Sequence, residues 1–435
     1  MTIFALSSAP GRAALAVIRV SGPAAGPAVR ALTGRDVPKP RTAALRRIME
    51  PTGGELIDEA LILWFQGPAS ETGEDMAEFQ VHGGRAVVQG VLEALARLPG
   101  LRPAEPGEFT RRAVLNGKLD LTAAEAVADL VEADTSRQRE QALAQMQGAL
   151  AQAYDGWRDR LVALMARLEA VIDFADEELP DDVTSGLMEA VGDLRNEITT
   201  YLDDDRRGER LREGLHIVIL GAPNVGKSSL LNRLARQEAA IVSEEAGTTR
   251  DVVEVTLDLS GFAVTLADTA GLRTDAGSVE REGMRRALDR ARHADLKLVL
   301  ADASRWDETW AAVEDQVDDN TIIVANKSDL GHVSRETQAV SVSCTTGEGL
   351  DDLVGALSQR IKDSWQSASS GATRERHRAG LEQAAAALER ARGGDEAALI
   401  AEDLRLAATA LGRITGRVDV EDLLDVIFAE FCIGK

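Results

Sequence analysis

A strand, a loop and a helix can be read directly from residues 215–236, and they narrow the fold more than anything else in the chain. The apolar run Leu215-His-Ile-Val-Ile-Leu220 enters Gly221-Ala-Pro-Asn-Val-Gly-Lys-Ser228, and Ser229-Leu-Leu-Asn-Arg-Leu-Ala-Arg236 then takes up a helical pattern. This is G-x-x-x-x-G-K-S/T in the context that gives the motif its meaning, with a strand before it and a helix after it. The glycines let backbone N–H groups wrap an anionic phosphate at a helix N-terminus. Lys227 brings an ammonium to the β and γ phosphates, and Ser228 offers a hydroxyl to Mg²⁺. Asn224, Val225, Gly226 and Ser229 are the loop's other expected nucleotide contacts. Further short apolar strands follow, VVEVTLDL and FAVTLA across a Ser260-Gly261 turn, then LKLVLA, TIIVA and AVSVS, with helices between them. Strand and helix in alternation predict a mostly parallel sheet wrapped by helices.

The segments after this loop indicate which nucleotide is bound. In Gly247-Thr-Thr-Arg-Asp251, the hydroxyls of Thr248 and Thr249 can join a Mg²⁺ shell and sense a γ-phosphate. Asp268-Thr269-Ala270-Gly271 ends a strand, which puts a carboxylate in the metal's outer shell and the Gly271 N–H near the γ-phosphate. After TIIVA come Asn326, Lys327, Ser328 and Asp329. A carboxylate there accepts from guanine N1–H and the 2-amino group, whereas adenine lacks that donor pair and would leave the carboxylate unpaired, so GTP is selected over ATP. Ser343-Cys344-Thr345 ends the last strand, where backbone contact to the guanine carbonyl is expected. The position after Gly271 is Leu272, which cannot orient a water molecule as a glutamine there would. Glu280 is the candidate for that task, directly or through a second water, the alternative being a solvated glutamate. Asn224 is either a turn-former or the amide ligand of a monovalent cation that supplies the charge of an arginine finger in cis.

Around this block the texture differs. Residues 1–118 mix strand-like runs (AALAVIRV, ALILWFQ, EFQVHGG) with Gly and Pro punctuation, the pattern of a compact α+β domain. Residues 119–213 and 366–435 are Ala/Leu/Glu/Arg helices, so one helical domain interrupted by a block at 214–365 is the economical arrangement. Leu143, Met146, Leu150, Tyr154, Trp157, Leu161, Leu164 and Leu168 predict one long helix with an apolar face. The net charge is −23, but residues 1–120 carry 14 basic and 13 acidic side chains against 35 and 59 in the remainder. Such an acidic surface repels phosphate backbones and argues against sequence-independent DNA binding. Lysine is scarce, seven against 42 arginines, and Lys118, Lys227, Lys327 and Lys435 all fall in motifs. Two cysteines, Cys344 and Cys432, exclude a disulfide framework and a zinc finger. No window approaches the roughly 18 apolar residues of a spanning helix, and the N-terminus lacks a signal-peptide pattern, so a soluble, cytoplasmic chain without membrane association is expected.

The C-terminus reads Phe431-Cys-Ile-Gly-Lys435. Residues 18–22 (IRVSG), 73–84 from Gly-Glu-Asp to Gly-Gly, 107–110 (GEFT) and 116–120 (NGKLD) punctuate the N-terminal part. With the inserted nucleotide block and the helical flanks, the whole chain closely resembles the MnmE/TrmE family of tRNA uridine-modifying GTPases. The resemblance implies a multidomain protein with an N-terminal α+β folate-binding and dimerisation domain, a discontinuous α-helical domain and an inserted Ras-like α/β P-loop G domain. It implies a K⁺-stimulated GTPase that forms a homodimer and works with an FAD-dependent subunit in a heterotetramer-type complex on tRNA. Such a complex uses a tetrahydrofolate one-carbon unit to build an aminomethyl-type group on C5 of the wobble uridine. By position, the resemblance assigns folate contacts to Arg19, Glu78, Lys118 and Lys435, K⁺ contacts to Asn224, Ser243, Glu245 and Thr248, Mg²⁺ contacts to Ser228 and Thr249, and the catalytic carboxylate to Glu280. Glu245 stands where an aliphatic residue is common, and Ser-Cys-Thr stands for Ser-Ala-Lys. Cys432 reads either as a nucleophile or as a small buried hydrophobe, and His82 as a folate or RNA contact or a turn histidine. The rival class, an Era-like ribosome-assembly GTPase, carries a basic RNA-binding appendage that this sequence lacks.

Overall fold

The computed structural model describes residues 1–173, 186–204, 206–237, 240–241, 254–268, 294–333, 338–365, 371–418, 424, 427–428 and 431–434. These residues form two compact units, the first comprising Met1–Ala128, Gln145–Val191 and Ala386–Lys435 and the second Asp129–Ala144 and Gly192–Ala385.

In the first unit a six-stranded sheet runs in the order β3-β4-β5-β2-β1-β6. Its strands are β1 (Thr2–Leu6), β2 (Leu15–Ser21), β3 (Ala44–Met49), β4 (Leu56–Phe65), β5 (Met76–His82) and β6 (Leu101–Pro103). Neighbours pair antiparallel except β1 with β6. The two-residue period of a strand sends alternate side chains to opposite faces. Ala16, Ile18 and Val20 of β2 and Ala77, Phe79 and Val81 of β5 enter one core with α1 (Ala25–Thr33) and α2 (Arg85–Ala96). Each large side chain buried there contributes about 2 kcal/mol. Arg19 and Glu78 lie between those positions and face the other way. On that second face Ile3 and Ala5 of β1 pack with Phe109 of α3 (Glu108–Leu115).

The helices α4 (Leu121–Glu132), α5 (Ser136–Met146) and α6 (Ala149–Asp173) follow. The single long helix expected through residues 143–168 is interrupted. Gly148 takes φ +91°, and its N–H donates to Gln145 O, which separates the end of α5 from the start of α6. From Leu150 onward the expected face is buried at Leu150, Tyr154, Leu161, Leu164 and Leu168, and α6 packs against a late helix, Ala397–Thr415.

The second unit carries a seven-stranded sheet in the order β13-β12-β11-β7-β10-β9-β8. The strands are β7 (Leu215–Gly221), β8 (Ala240–Ile241), β9 (Glu254–Leu259), β10 (Phe262–Asp268), β11 (Leu296–Asp302), β12 (Thr321–Asn326) and β13 (Val340–Val342). The strands from β13 to β10 run parallel, and β9 and β8 add antiparallel at the edge. The apolar runs that predicted β7, β9, β10, β11, β12 and β13 form the central core with Leu230, Leu231 and Leu234 of the helix Lys227–Gln237 and with Leu353, Leu357 and Ile361 of the helix Leu350–Trp365. No helix among the described residues is long and apolar enough to cross a membrane.

Candidate functional site

The strand order of the second unit places three loops side by side. Leu300 of β11 pairs with Gly221 of β7, and Asp302 with Asn326 of β12, so the carboxyl ends of β7, β11 and β12 form one edge. In an open parallel sheet that edge is where ligands bind. Asp268 ends β10 opposite Ile219 of β7.

The loop after β7 and the segment from Asn326 to Asp329 are tied together by their own polar groups. Asn326 Nδ2 donates to Val225 O at 2.8 Å, and the Cys344 N–H donates to Asn326 Oδ1 at 3.3 Å. One buried amide thus spans the phosphate loop and the loop after β13. Gly226 sits at φ +104°, and a Cβ on it would lie 2.2 Å from Asn326 Nδ2, so only glycine leaves room for this bond. Lys227 is buried, with Nζ donating to the carbonyls of Gly221 at 2.8 Å and Ala222 at 3.0 Å, which holds the ammonium within the loop. Ser228 and Ser229 are exposed in the first turn of its helix, and Asn224 is exposed in the loop. Asp329 Oδ1 accepts from Ser343 Oγ at 2.6 Å, which orients the carboxylate. Arg233 donates to the carbonyls of Cys344 and Thr345, each at 2.9 Å, from the loop's own helix. Burial pushes the Cys344 thiol up to about 11, so it is a neutral packing group at physiological pH.

In the first unit, Arg19 and Glu78 are direct partners across β2 and β5, with Arg19 Nε and Nη2 donating to Glu78 Oε1 at 3.2 and 3.0 Å. Arg19 also pairs with Glu71 at 2.8 Å, and its guanidinium stands 5.7 Å over the Phe109 ring. A network behind them joins the motifs of this domain. Glu108 accepts from Arg102 through both oxygens at 2.7 Å and from Arg112 at 2.9 Å. Arg112 reaches Glu74 at 2.9 Å, and Ser21 Oγ donates to Glu74 at 2.8 Å. Asn116 donates to Thr72 O at 2.7 Å, and the Lys118 N–H to Ala113 O at 2.8 Å. Burial raises the Glu108 carboxyl, but the two arginines and the Glu105 N–H outweigh it and hold the group below the ordinary carboxylate range. The C-terminal tail docks on the same domain. Ile433 bridges to Pro106, the Gly107 N–H donates to Cys432 O at 3.4 Å, and Ser7 Oγ donates to Gly434 O at 2.9 Å. Phe428 and Phe431 anchor this tail against Leu121 and Ala124. Cys432 is exposed, which corrects the reading of it as a small buried hydrophobe, since Phe431 fills that role. His82 ends β5 and pairs through Nδ1 with Asp58 at 2.8 Å.

Two family models match the chain, the GTP-binding protein TrmE N-terminus over residues 2–118 and the MnmE helical domain over residues 121–432. The chain is 55% identical to the tRNA modification GTPase MnmE of Paramagnetospirillum magneticum, covering all of this chain and 99% of that one. It is also 55% identical to the corresponding protein of Parvibaculum lavamentivorans, over the full length of both. The chain belongs to the MnmE/TrmE family of tRNA modification GTPases. A vertebrate relative, the mitochondrial 5-taurinomethyluridine-[tRNA] synthase subunit GTPB3 of Danio rerio, is 48% identical over all of this chain and 93% of its own.

For this MnmE/TrmE member the structure brings together Asn224, Val225, Gly226, Lys227, Asn326, Lys327, Asp329, Ser343 and Cys344 in one unit, and Arg19 with Glu78 in the other. Ser243, Glu245, Thr248, Thr249, Thr269, Ala270, Gly271, Glu280 and Lys435 lie outside the described residues, as does the side chain of Asp268. Sequence reasoning missed Asp302, which ends β11 and accepts from Lys327 Nζ at 2.6 Å. Burial raises its carboxyl, but Lys327 and Ser304 hold it below the usual range. The available signal was an acid directly after the apolar run LKLVLA. Arg102, Arg112 and Arg233 were also missed.

Proposed function

We propose that this chain is a K⁺-stimulated GTPase which, with an FAD-dependent subunit, installs a (carboxymethyl)aminomethyl group on C5 of the wobble uridine of tRNA. In this reading residues 214–365 are the G domain, residues 1–118 bind the folate and form the homodimer, and residues 119–213 with 366–435 are the helical domain. The observation that carries it is the joining of Asn326 and Lys327 to the phosphate loop, with Asp329 held by Ser343 in the same segment, which supports base recognition beside phosphate binding at one sheet edge.

Asp329 would accept from guanine N1–H and the 2-amino group, with Ser343 fixing its orientation. Lys227 would exchange its loop carbonyls for phosphate oxygens. Ser228, an exposed residue, carries a hydroxyl that would suit Mg²⁺, a hard cation that prefers oxygen, with Thr249 as the second protein ligand. The Asn224 carbonyl is engaged by Lys327, so its exposed amide is the group this residue can offer to K⁺, beside Ser243, Glu245 and Thr248. K⁺ there would supply the positive charge that an arginine finger supplies elsewhere. Glu280 would orient the attacking water. In the N-terminal domain, Glu78 would meet pterin N–H groups, and Arg19, Lys118 and Lys435 would meet the folate carboxylates. The folate contributes the one-carbon unit. The exposed leucines Leu45 and Leu61, paired across β3 and β4, offer apolar surface to a second copy.

The experiment is reconstitution with the FAD-dependent subunit, methylene-tetrahydrofolate, a nitrogen donor, GTP and unmodified tRNA, with wobble nucleosides read by mass spectrometry. A C5-aminomethyl product is expected with GTP, and none with a non-hydrolysable analogue or without folate. Product formed without folate would reject the one-carbon assignment.

A further inference from the structure

We propose that Asp302 is a positioning residue of the nucleotide site, setting Lys327 and, through it, the backbone of Asn224 in the phosphate loop. This rests on the nucleotide reading of these loops given above.

Asp302 closes β11, the strand between phosphate-loop strand β7 and base-recognition strand β12, and its two oxygens have different tasks. Oδ1 accepts from the Ser304 N–H at 3.0 Å and the Ser304 hydroxyl at 2.7 Å, which caps a short 3-10 turn. A cap needs only one acceptor, and asparagine or serine serves as well. Oδ2 accepts from Lys327 Nζ at 2.6 Å, and the same ammonium donates to the Asn224 carbonyl at 2.9 Å. Capping does not account for that second arm. Arg305 Nε lies 3.9 Å from Oδ2, beyond hydrogen-bonding distance.

Burial adds a constraint. Asp302 is 1% exposed, and a buried carboxylate is costly without a cation beside it. The strand end is itself fixed, since the Asp302 N–H donates to Thr309 Oγ1 at 3.0 Å. At the far end of the chain of bonds, Asn224 takes φ +65°, a left-handed conformation uncommon outside glycine. The Lys327 bond to its carbonyl is a contact that holds it there. A buried anion, a lysine and a loop carbonyl thus connect base recognition to phosphate binding. Removal of the negative charge releases Lys327 and loosens the loop at Asn224.

The test is binding of methylanthraniloyl-GDP to the full chain in four forms: wild type, Asp302→Asn, Lys327→Met and the double variant, with a melting curve for each. Asparagine retains the oxygen that caps Ser304, so the turn is preserved. Asp302→Asn is expected to weaken GDP binding about tenfold, the effect of one charge-assisted hydrogen bond. The double variant is expected to bind no more weakly than Lys327→Met alone, because Asp302 acts through that lysine. An unchanged Kd in Asp302→Asn overturns the proposal, as do effects that multiply in the double variant. If Asp302→Asn alone does not fold, the double variant against Lys327→Met decides in the same way, since both charges of the buried pair are gone together. Failure of the wild type to bind the probe would remove the nucleotide reading itself, which keeps the two failures distinct.

Discussion

Replacing Asp329 by asparagine is expected to weaken GTP binding by roughly a hundredfold and to turn the site toward xanthosine triphosphate. In the proposed reading the carboxylate would present two acceptors to two guanine donors. Its Oδ1 already accepts from Ser343 Oγ at 2.6 Å, which orients the carboxylate. An asparagine in the same place keeps one acceptor and puts an NH₂ donor against the guanine amino group, so a bond is lost and a donor faces a donor. Xanthine carries a carbonyl at that ring position and accepts from the new NH₂. Steady-state hydrolysis of both nucleotides by the two proteins measures this. Recovery of turnover with xanthosine triphosphate identifies Asp329 as the base reader. Loss of both activities would mean that Asp329 only braces Ser343.

Gly434→Ala is expected to lower tRNA modification by roughly a hundredfold, with GTP hydrolysis by the isolated chain changed less than twofold. Gly434 has φ +98°, and an added Cβ would lie 2.2 Å from the Leu6 carbonyl oxygen, so an alanine cannot occupy the observed position. The tail must lift, losing the Ser7 hydroxyl bond to Gly434 O and the bridge between Pro106 and Ile433. Those contacts place Cys432 beside Gly107, at the start of the helix whose Phe109 lies under Arg19. Modification in the reconstituted system, measured beside Cys432→Ser, separates placement from chemistry. Loss in Gly434→Ala with full activity in Cys432→Ser would assign the tail a positioning task and refute a cysteine nucleophile. Full modification activity in Gly434→Ala would remove the tail from the proposed one-carbon site.

The strands of both sheets that carry long alternating or apolar runs were legible in the residues, because each run encodes its own period. The phosphate loop and Asn326 to Asp329 were legible for a related reason, since their chemistry depends on local order along the chain. Strands β1 and β6 were not, because TIFAL and LRP are too short to show a period and form only by pairing with each other and β2. The break at Gly148 was hidden by leucines that keep helical spacing on both sides of it. Asp302, Arg233 and the set of Arg102, Glu108, Arg112 and Glu74 were hidden for another reason. Their deciding bonds join segments that topology brings together, such as Asp302 to Lys327, Arg233 to Cys344 and Arg112 to Glu74, and the local signals, an acid after LKLVLA and the i,i+4 pair Glu108 and Arg112, do not name those distant partners. The exposure of Cys432 was misread because its neighbours Phe431 and Ile433 are apolar, although Ile433 is itself exposed.

The central claim, a cation-assisted GTPase built on this sheet edge, is tested most directly by GTP hydrolysis in KCl and in NaCl at equal ionic strength. Wild type, Asn224→Ala and Glu280→Ala would be measured together. Strong stimulation by K⁺ in the wild type, absent from both variants, is the predicted result. Equal rates in the two salts would contradict the K⁺ site.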